Sequence, residues 1–238
     1  MFFSTFVTVA SIAVSALAAP QFRPAPAGIG RPIPGRFTCD ISAKMTLPAN
    51  QTALTAPTAP VTSVVLGVGF QNYTCSDAGT YVSAGAVADL YDISCLSKVP
   101  AFFNTIQDQA FAVWKALPTN VKTLGPNANG YPLMGSHFFV TSPSGTGLSP
   151  VWDARAASGK GKPDAFVLAA KIGNTPAPTG KQDVDWLQLK NVQGGLATQV
   201  YRTDTRGGPA PASCTPGSAP ISVKYVSKYW LFGATVKL

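Results

Sequence analysis

The stretch VVLGVGFQNYTC, Val64–Cys75, combines a Gly-x-Gly, β-branched and aromatic side chains, an Asn-x-Thr triplet and a cysteine. A dinucleotide-binding fingerprint needs a third glycine and a following helix, because the helix N-terminus holds the pyrophosphate. Here Gly69 is followed by Phe70-Gln71-Asn72 and by no helical period. The glycines are therefore predicted to mark a bulge or close packing within a strand. The stretch predicts a strand of an exported protein.

The N-terminus has the features of a cleaved secretory signal. Residues 1–18 carry no charged side chain and end in Ala16-Leu17-Ala18, an A-x-A cleavage pattern. A membrane anchor is the weaker alternative, because the run is short and contains Ser and Thr. Residues 19–36 are rich in Pro and Gly and are predicted to form an extended tail. Residues 37–238 are predicted to form a single β-rich domain, which we expect to be secreted, extracellular and without a membrane span.

The composition favours turns and strands over helices. Charged residues make up 12% of the chain, Gly and Pro number 22 and 21, and every acidic residue is Asp. The absence of Glu removes a residue that favours helices. The formal net charge is +8, but the basic residues are scattered rather than clustered, so no nucleic-acid partner is expected.

Strand-like segments recur at short spacing along the chain, which is typical of a sandwich or barrel. They lie at 62–75, 82–95, 137–141, 165–170, 185–190, 196–203, 221–226 and 229–238. Between 100 and 117 the apolar period changes to steps of three and four, which predicts an amphipathic helix. The predicted fold class is all-β, mainly an antiparallel β-sandwich or barrel, with one α-helical insertion near 100–117.

The cysteines predict disulfides rather than a metal site. Four are present, Cys39, Cys75, Cys95 and Cys214. In a secreted chain an even number implies two bridges, with three possible connectivities. No Cys-x-x-Cys pair exists and His137 is the only histidine, so no metal is expected. No cofactor is expected either, because the dinucleotide fingerprint is missing. Two sequons, beginning at Asn50 and Asn72, are consistent with a glycosylated surface.

One pair of residues is a candidate for catalysis. His137 is a candidate general base and Asp153 a candidate acid to orient it, as a secreted hydrolase would need. No Gly-x-Ser-x-Gly nucleophile elbow is present. A structural role for the lone histidine is therefore favoured, and the hydrolase is kept as the alternative function.

Aromatic and basic residues late in the chain are candidates for ligand binding. Trp152, Trp186 and Tyr201 could stack on sugar rings, and basic residues nearby would suit acidic glycans. The competing interpretation is that the aromatic residues fill a core. Arg202 and Arg206 could together clamp a carboxylate, but a structural role in locking their loop is favoured.

Motifs in a fixed order carry a resemblance to a known family. They are GFQNYTC (69–75), AVADLYD (86–92), GSHF (135–138), WD (152–153), DWLQL (185–189), VYRTDTRGGPAP (200–211), VKY (223–225) and YW (229–230). The chain resembles the domain of unknown function 3455 family of secreted fungal and bacterial proteins over about residues 62–232. Residues 96–130, with the helical segment, look like an insertion relative to shorter bacterial relatives.

The resemblance implies a β-rich secreted domain and supplies no established catalytic residue. Relatives keep cysteines matching Cys75 and Cys214, which favours that pair and leaves Cys39 with Cys95. The local alternative, Cys75 with Cys95, stays open. Some fungal members carry the label malate dehydrogenase, which this sequence does not support.

The leading functional hypothesis is a non-catalytic binding or structural module at a cell wall or host surface. Its partner would be a cell-wall polysaccharide or an extracellular protein. The alternative is the hydrolase using His137 and Asp153, and an NAD-dependent dehydrogenase is the least expected.

Overall fold

The computed structural model describes residues 39–128 and 130–238. The predicted signal (1–18) and Pro/Gly-rich tail (19–36) lie outside the described residues. The strands are β1 (Val61–Cys75), β2 (Tyr81–Asp92), β3 (Asn127–Ala128), β4 (Tyr131–Thr141), β5 (Leu148–Asp153), β6 (Phe166–Thr175), β7 (Trp186–Gln193), β8 (Gln199–Gly207) and β9 (Ile221–Phe232). A 3-10 helix (Ser94–Lys98) and two α-helices, α1 (Pro100–Phe103) and α2 (Ile106–Ala116), lie between β2 and β3.

Eight strands form a closed antiparallel barrel. The order around it is β1-β2-β4-β5-β6-β7-β8-β9, so each strand pairs with its neighbours along the chain. Closure comes from β1 and β9, which pair from Val61↔Phe232 to Tyr73↔Ile221. β3 is an extra strand that pairs with β4 alone. The all-β antiparallel prediction is confirmed, and of its two alternatives the barrel is the one that forms.

The last strand differs from its prediction. Two strands, 221–226 and 229–238, were expected, whereas Ile221–Phe232 is one continuous strand. Both of its faces are buried, with Leu231 in the inner core and Trp230 and Phe232 in an outer one. Residues beyond Phe232 instead help to fill one end of the barrel, where Val236 packs against the inner core.

The glycines of the opening stretch allow the barrel to close tightly. A Cβ on Gly67 would lie 2.5 Å from the Tyr229 ring. A Cβ on Gly69 would lie 1.9 Å from the carbonyl oxygen of Val87 on β2. Close approach of backbone or ring is one reason why a strand carries glycine. The Gly-x-Gly therefore serves strand packing, as expected.

The helical insertion is confirmed but divided. The predicted helix at 100–117 breaks at Asn104-Thr105 into α1 and α2. The fully buried Trp114 of α2 packs edge-on against Phe70, with ring centroids 5.2 Å apart. Its indole N–H donates to the carbonyl of Gly69 at 2.9 Å. The helices thus cover the outer face of β1 and β9 and create the second, outer core.

Both disulfides match the pairing implied by the family resemblance. Cys75 is bonded to Cys214, and Cys39 to Cys95. The first ties the end of β1 to the connection between β8 and β9. The second ties the segment before β1 to the 3-10 helix. Within the described residues no helix is long and apolar enough to cross a membrane.

Removing the Trp114 side chain should strongly destabilise the protein. We expect Trp114→Ala to lower the free energy of unfolding by about 3–5 kcal/mol, because it empties the outer core. The control is Val113→Ala on the same helix, which alters a side chain 52% exposed and should change stability by less than about 0.5 kcal/mol. Urea unfolding followed by far-UV circular dichroism measures both. Equal effects would show that α2 does not pack on the barrel.

Candidate functional site

The two ends of the barrel differ. At one end the inner core extends into the connections and the C-terminal segment, through Ala154, Ala165, Leu196 and Val236. At the other end, the connections 76–80, 142–147, 176–185 and 208–220 surround an opening. That opening leads into a cavity of about 900 Å³, within the range typical of small-molecule sites. We call it the mouth cavity.

The wall of the mouth cavity is mostly apolar and aromatic. Tyr73 and Tyr81 meet edge to face near the rim, with ring centroids 6.3 Å apart. Phe139, Leu187 and Leu189 line the cavity as well. Such a surface favours the apolar or aromatic body of a small molecule.

Arg202 supplies a positive charge in this cavity. Its Nε and Nη2 donate to the main-chain carbonyl of Asp185, at 3.0 and 2.8 Å. No carboxylate of the described residues lies within ion-pair distance of it. The edge formed by Nη1 and Nη2 therefore keeps its N–H groups available, and that edge suits a carboxylate bound in bidentate fashion.

Gln71 is a second polar group with unused hydrogen-bonding capacity in the mouth cavity. Its side chain is buried, lines the cavity, and its Nε2 has no hydrogen-bond partner among the described residues. A buried donor without a partner costs free energy, so its presence needs an explanation. A ligand in the mouth cavity with an acceptor facing Gln71 would provide one.

The cavity's acidic residues are already engaged. Asp183 is buried and accepts from the Thr179 hydroxyl and from the Gly207 amide. The Asp185 carboxylate accepts from the side-chain amide of Asn174 at 2.9 Å. These hydrogen bonds help to hold the connection 176–185. The other basic residues of the lining, Lys171 and Lys181, are exposed to solvent, so Arg202 is the partly buried charged group with free donors.

The sequence RTDTRGGPAPASC (202–214) builds one side of the mouth. Pro209–Ala212 line the cavity. The Tyr73 hydroxyl donates to the carbonyl of Gly208 at 2.9 Å, and the Cys214 amide donates to Gly79 at 2.9 Å. Together with the Cys75–Cys214 disulfide, these bonds hold the connection 208–220 against the end of β1. The mouth is therefore a fixed opening.

Arg202 and Arg206 do not form one clamp. Arg202 enters the mouth cavity, whereas Arg206 lies on the outer face and makes an ion pair with Asp108 of α2 at 2.5 Å. Residues four apart on a regular strand face the same side of the sheet. The irregular pairing of β8 with β9 between Thr203 and Arg206 breaks this alternation, so the two arginines face different sides. Each arginine makes a separate contact with a neighbouring segment, Arg206 with Asp108 and Arg202 with the Asp185 carbonyl, and Arg202 also keeps free donors.

His137 and Asp153 are not brought together. His137 pairs across the sheet with Trp152, and Asp153 with Ser136, so the two side chains point to opposite faces. The His137 ring is buried, stacks on Trp152 at 4.5 Å and donates from Nδ1 to the Val151 carbonyl at 2.8 Å. Asp153 instead pairs with Arg155 outside the barrel. This geometry gives the hydrolase alternative no support.

The aromatic candidates are dispersed rather than collected on one face. Trp152 belongs to the inner core and Tyr201 to the outer core, and both are buried. Trp186 is partly exposed on the outer side of β7, beside a different cavity. The core interpretation thus describes Trp152 and Tyr201, and Trp186 alone stays accessible.

The two sequons lie at different places. Asn50 is exposed in a turn before β1. Asn72 is partly exposed within β1, and its side-chain oxygen accepts from the Ser222 hydroxyl at 2.8 Å. In the part of the chain that the structure describes, no cluster of three or more His, Cys or acidic side chains could hold a metal.

Fold and site together define a small antiparallel barrel with one filled end and one open, cationic end. The chain belongs to the family described as protein of unknown function (DUF3455), whose model matches residues 56–233. The match takes in all nine strands and the helical insertion, and it confirms the resemblance drawn from the sequence motifs. No curated protein and no solved structure matches the chain.

Several residues of the mouth were missed by the sequence reasoning. Gln71 carried a usable signal, since it occupies an inward position in the alternation Val65, Gly67, Gly69, Gln71. A polar residue at an inward position of a barrel strand indicates a lined cavity. Phe139 and Leu187 carried no such signal, because apolar residues at inward positions also fill cores.

The buried His137 should make stability depend on pH. Burial lowers the pKa of His137 from 6.5 to about 3. Below pH 6.5 this histidine is therefore protonated in the unfolded chain but stays neutral in the folded protein. The free energy of unfolding falls as the pH drops from 6.5 toward 3. The expected loss from this residue is about 1.4 kcal/mol per pH unit.

His137→Asn keeps an N–H for the Val151 carbonyl but removes the titration. We expect the stability difference between wild type and this variant to shrink by about 2 kcal/mol between about pH 7 and about pH 5. Urea unfolding at a series of pH values measures it. Parallel pH profiles for the two proteins would contradict a neutral, buried imidazole.

Proposed function

We propose that this protein is a secreted, non-catalytic binding protein that holds a small organic carboxylate with an apolar or aromatic body in the mouth cavity. The observation that carries the proposal is Arg202, whose free guanidinium edge lies in an apolar cavity without a carboxylate partner among the described residues. An extracellular location of the protein is supported by its two disulfides, because disulfides persist in oxidising compartments.

The shape of the cavity favours a small molecule over a polymer. A polysaccharide chain needs a groove that is open at both ends. The mouth cavity is blind, because the inner core fills the barrel below it. A ligand enters with its apolar body against Phe139 and Leu187 and its carboxylate on Arg202.

Rigidity of the site supports binding rather than turnover. The rim is held by the Cys75–Cys214 disulfide, and Arg202 is held by its two bonds to the Asp185 carbonyl. A preorganised donor loses little entropy when the ligand binds. His137, the one histidine of the sequence, is buried against Trp152 and does not line the cavity, so it is not placed to act as a base there.

The proposal is tested with matched acidic and neutral probes. Octanoate is compared with 1-octanol, and indole-3-acetate with indole-3-acetamide, by isothermal titration calorimetry. We expect at least one carboxylate to bind at least about tenfold more tightly than its neutral partner, because a hydrogen bond to a charged group contributes about 1.5–3 kcal/mol. Trigalacturonate is included as a carboxylate without an apolar body and should bind weakly.

The decisive variant is Arg202→Ala, with Arg206→Ala as its matched control. Both variants lose one arginine and the same charge, but only Arg202 lies in the mouth cavity. We expect Arg202→Ala to abolish the preference for the carboxylate and Arg206→Ala to retain it. No carboxylate binding to wild type, or equal binding by wild type and Arg202→Ala, would overturn the proposal.

A further inference from the structure

A second cavity lies on the outer side of the barrel, apart from the mouth. Its volume is about 460 Å³, and its lining comes from β8, β9, the segment 44–49 before β1, α1 and the first residue of β7. Three of its side chains determine its chemistry, Lys228, Asp204 and Trp186. We call it the outer cavity.

Lys228 is an unusual residue for a barrel strand. It is 2% exposed, and its Nζ lies 3.4 Å from Asp204 Oδ2 and 4.6 Å from the centre of the Phe103 ring. An ammonium group has three N–H donors, and Asp204 is its one partner among the described residues. Lys228 lines the outer cavity, so its remaining donors are available to a molecule bound there.

Asp204 is held in an uncommon conformation beside it. Its φ of 49° lies in the left-handed region, which Asp tolerates better than most residues. Its Oδ2 accepts from the Thr203 hydroxyl at 3.0 Å and faces Lys228, while Oδ1 accepts no hydrogen bond from the described residues. The irregular pairing of β8 and β9 at this point places its carboxylate in the wall of the cavity.

Trp186 supplies an accessible aromatic side chain in the same cavity. It stays partly exposed, whereas Trp230 and Phe103 in the same wall are buried. Its indole N–H has no hydrogen-bond partner among the described residues. One aromatic residue is thus open to a ligand next to an ion pair with unused hydrogen-bonding capacity.

This combination suits a neutral polyhydroxylated ligand better than a charged one. Lys228 and Asp204 neutralise each other, and the other charged residue of the lining, Lys44, is exposed to solvent, where its charge is screened by salt. A hydroxyl group can accept from the ammonium and donate to the carboxylate, and such charge-assisted bonds are the stronger ones. The apolar C–H face of a sugar ring packs on an aromatic ring.

We propose that the outer cavity binds a neutral sugar residue. The ring packs on Trp186, and two hydroxyl groups lie on Lys228 and Asp204. This site is independent of the mouth cavity, since the two share no lining residue. The protein would then hold a small carboxylate at the barrel end while attached to a neutral glycan through its side.

The test measures binding of cellotetraose, laminaritetraose, chitotetraose and xylotetraose by isothermal titration calorimetry, with trigalacturonate as the anionic comparison. We expect at least one neutral oligosaccharide to bind with a Kd of about 1 mM or tighter. Binding of the neutral oligosaccharide should be unchanged by added salt, whereas binding of trigalacturonate through the exposed Lys44 should weaken as salt is added.

Two variants remove the proposed contacts. Trp186→Ala removes the aromatic surface. Asp204→Asn replaces the carboxylate by a neutral amide, and Asn also tolerates the left-handed backbone conformation of this position. Each should weaken sugar binding at least about tenfold. Phe102→Ala, which alters another accessible aromatic residue (56% exposed), and Arg202→Ala in the mouth should each leave it within about twofold.

Each outcome decides the proposal. Binding that is lost in Trp186→Ala and Asp204→Asn and kept in Phe102→Ala and Arg202→Ala supports it, provided that far-UV circular dichroism shows all four variants folded. Absence of binding to every neutral probe up to about 10 mM overturns it. Sugar binding that is kept in Trp186→Ala and Asp204→Asn also overturns the proposal, and so does sugar binding that is weakened to the same extent in Arg202→Ala. Neither result bears against the proposed carboxylate site in the mouth cavity.

Discussion

The pairing of the first strand with the last is the constraint on which the rest of the structure depends. β1 and β9 lie far apart in the chain, yet they pair from Val61↔Phe232 to Tyr73↔Ile221. This pairing leaves no free edge on the main sheet, which is the way barrels avoid unpaired strands. It also forces a tight curve, and Gly67 and Gly69 supply the room for it.

Closure of the barrel produces an inner and an outer hydrophobic core, and it leaves the mouth cavity at the barrel end and the outer cavity on its side. Side chains of β1 and β9 alternate between the barrel interior and the layer beneath the helices, so both faces of these strands are apolar. The interior is filled at one end and open at the other, which places Arg202 in the mouth. The break in regular pairing on β8 turns Asp204 outward beside Lys228. The same short stretch of β8 therefore contributes to both candidate sites.

Much of the fold could be predicted from local pattern. β-branched runs, turn residues and the change of period at 100–117 indicated strands and one helical segment, since these signals act over a few neighbouring residues. The helix break at Asn104-Thr105 and the continuity of Ile221–Phe232 were not visible, because packing on the outer core decides them. For the site, Arg202 was singled out by its unusual sequence, but Lys228 was not, since a lone lysine in a strand pattern normally faces solvent.

The sequence by itself determined the β-rich class, the disulfide-forming cysteines and the family, because composition and ordered motifs carry that information directly. The tertiary structure alone decided which residues meet. The side chains of His137 and Asp153 do not meet, because they lie on opposite faces of the sheet formed by β4 and β5. Arg202 and Arg206 do not meet either, because the pairing of β8 with β9 is irregular between them. Side-chain direction in a barrel depends on register and bulges, and these are set by how one strand pairs with another, from the hairpin of β4 and β5 to the closure of β1 with β9.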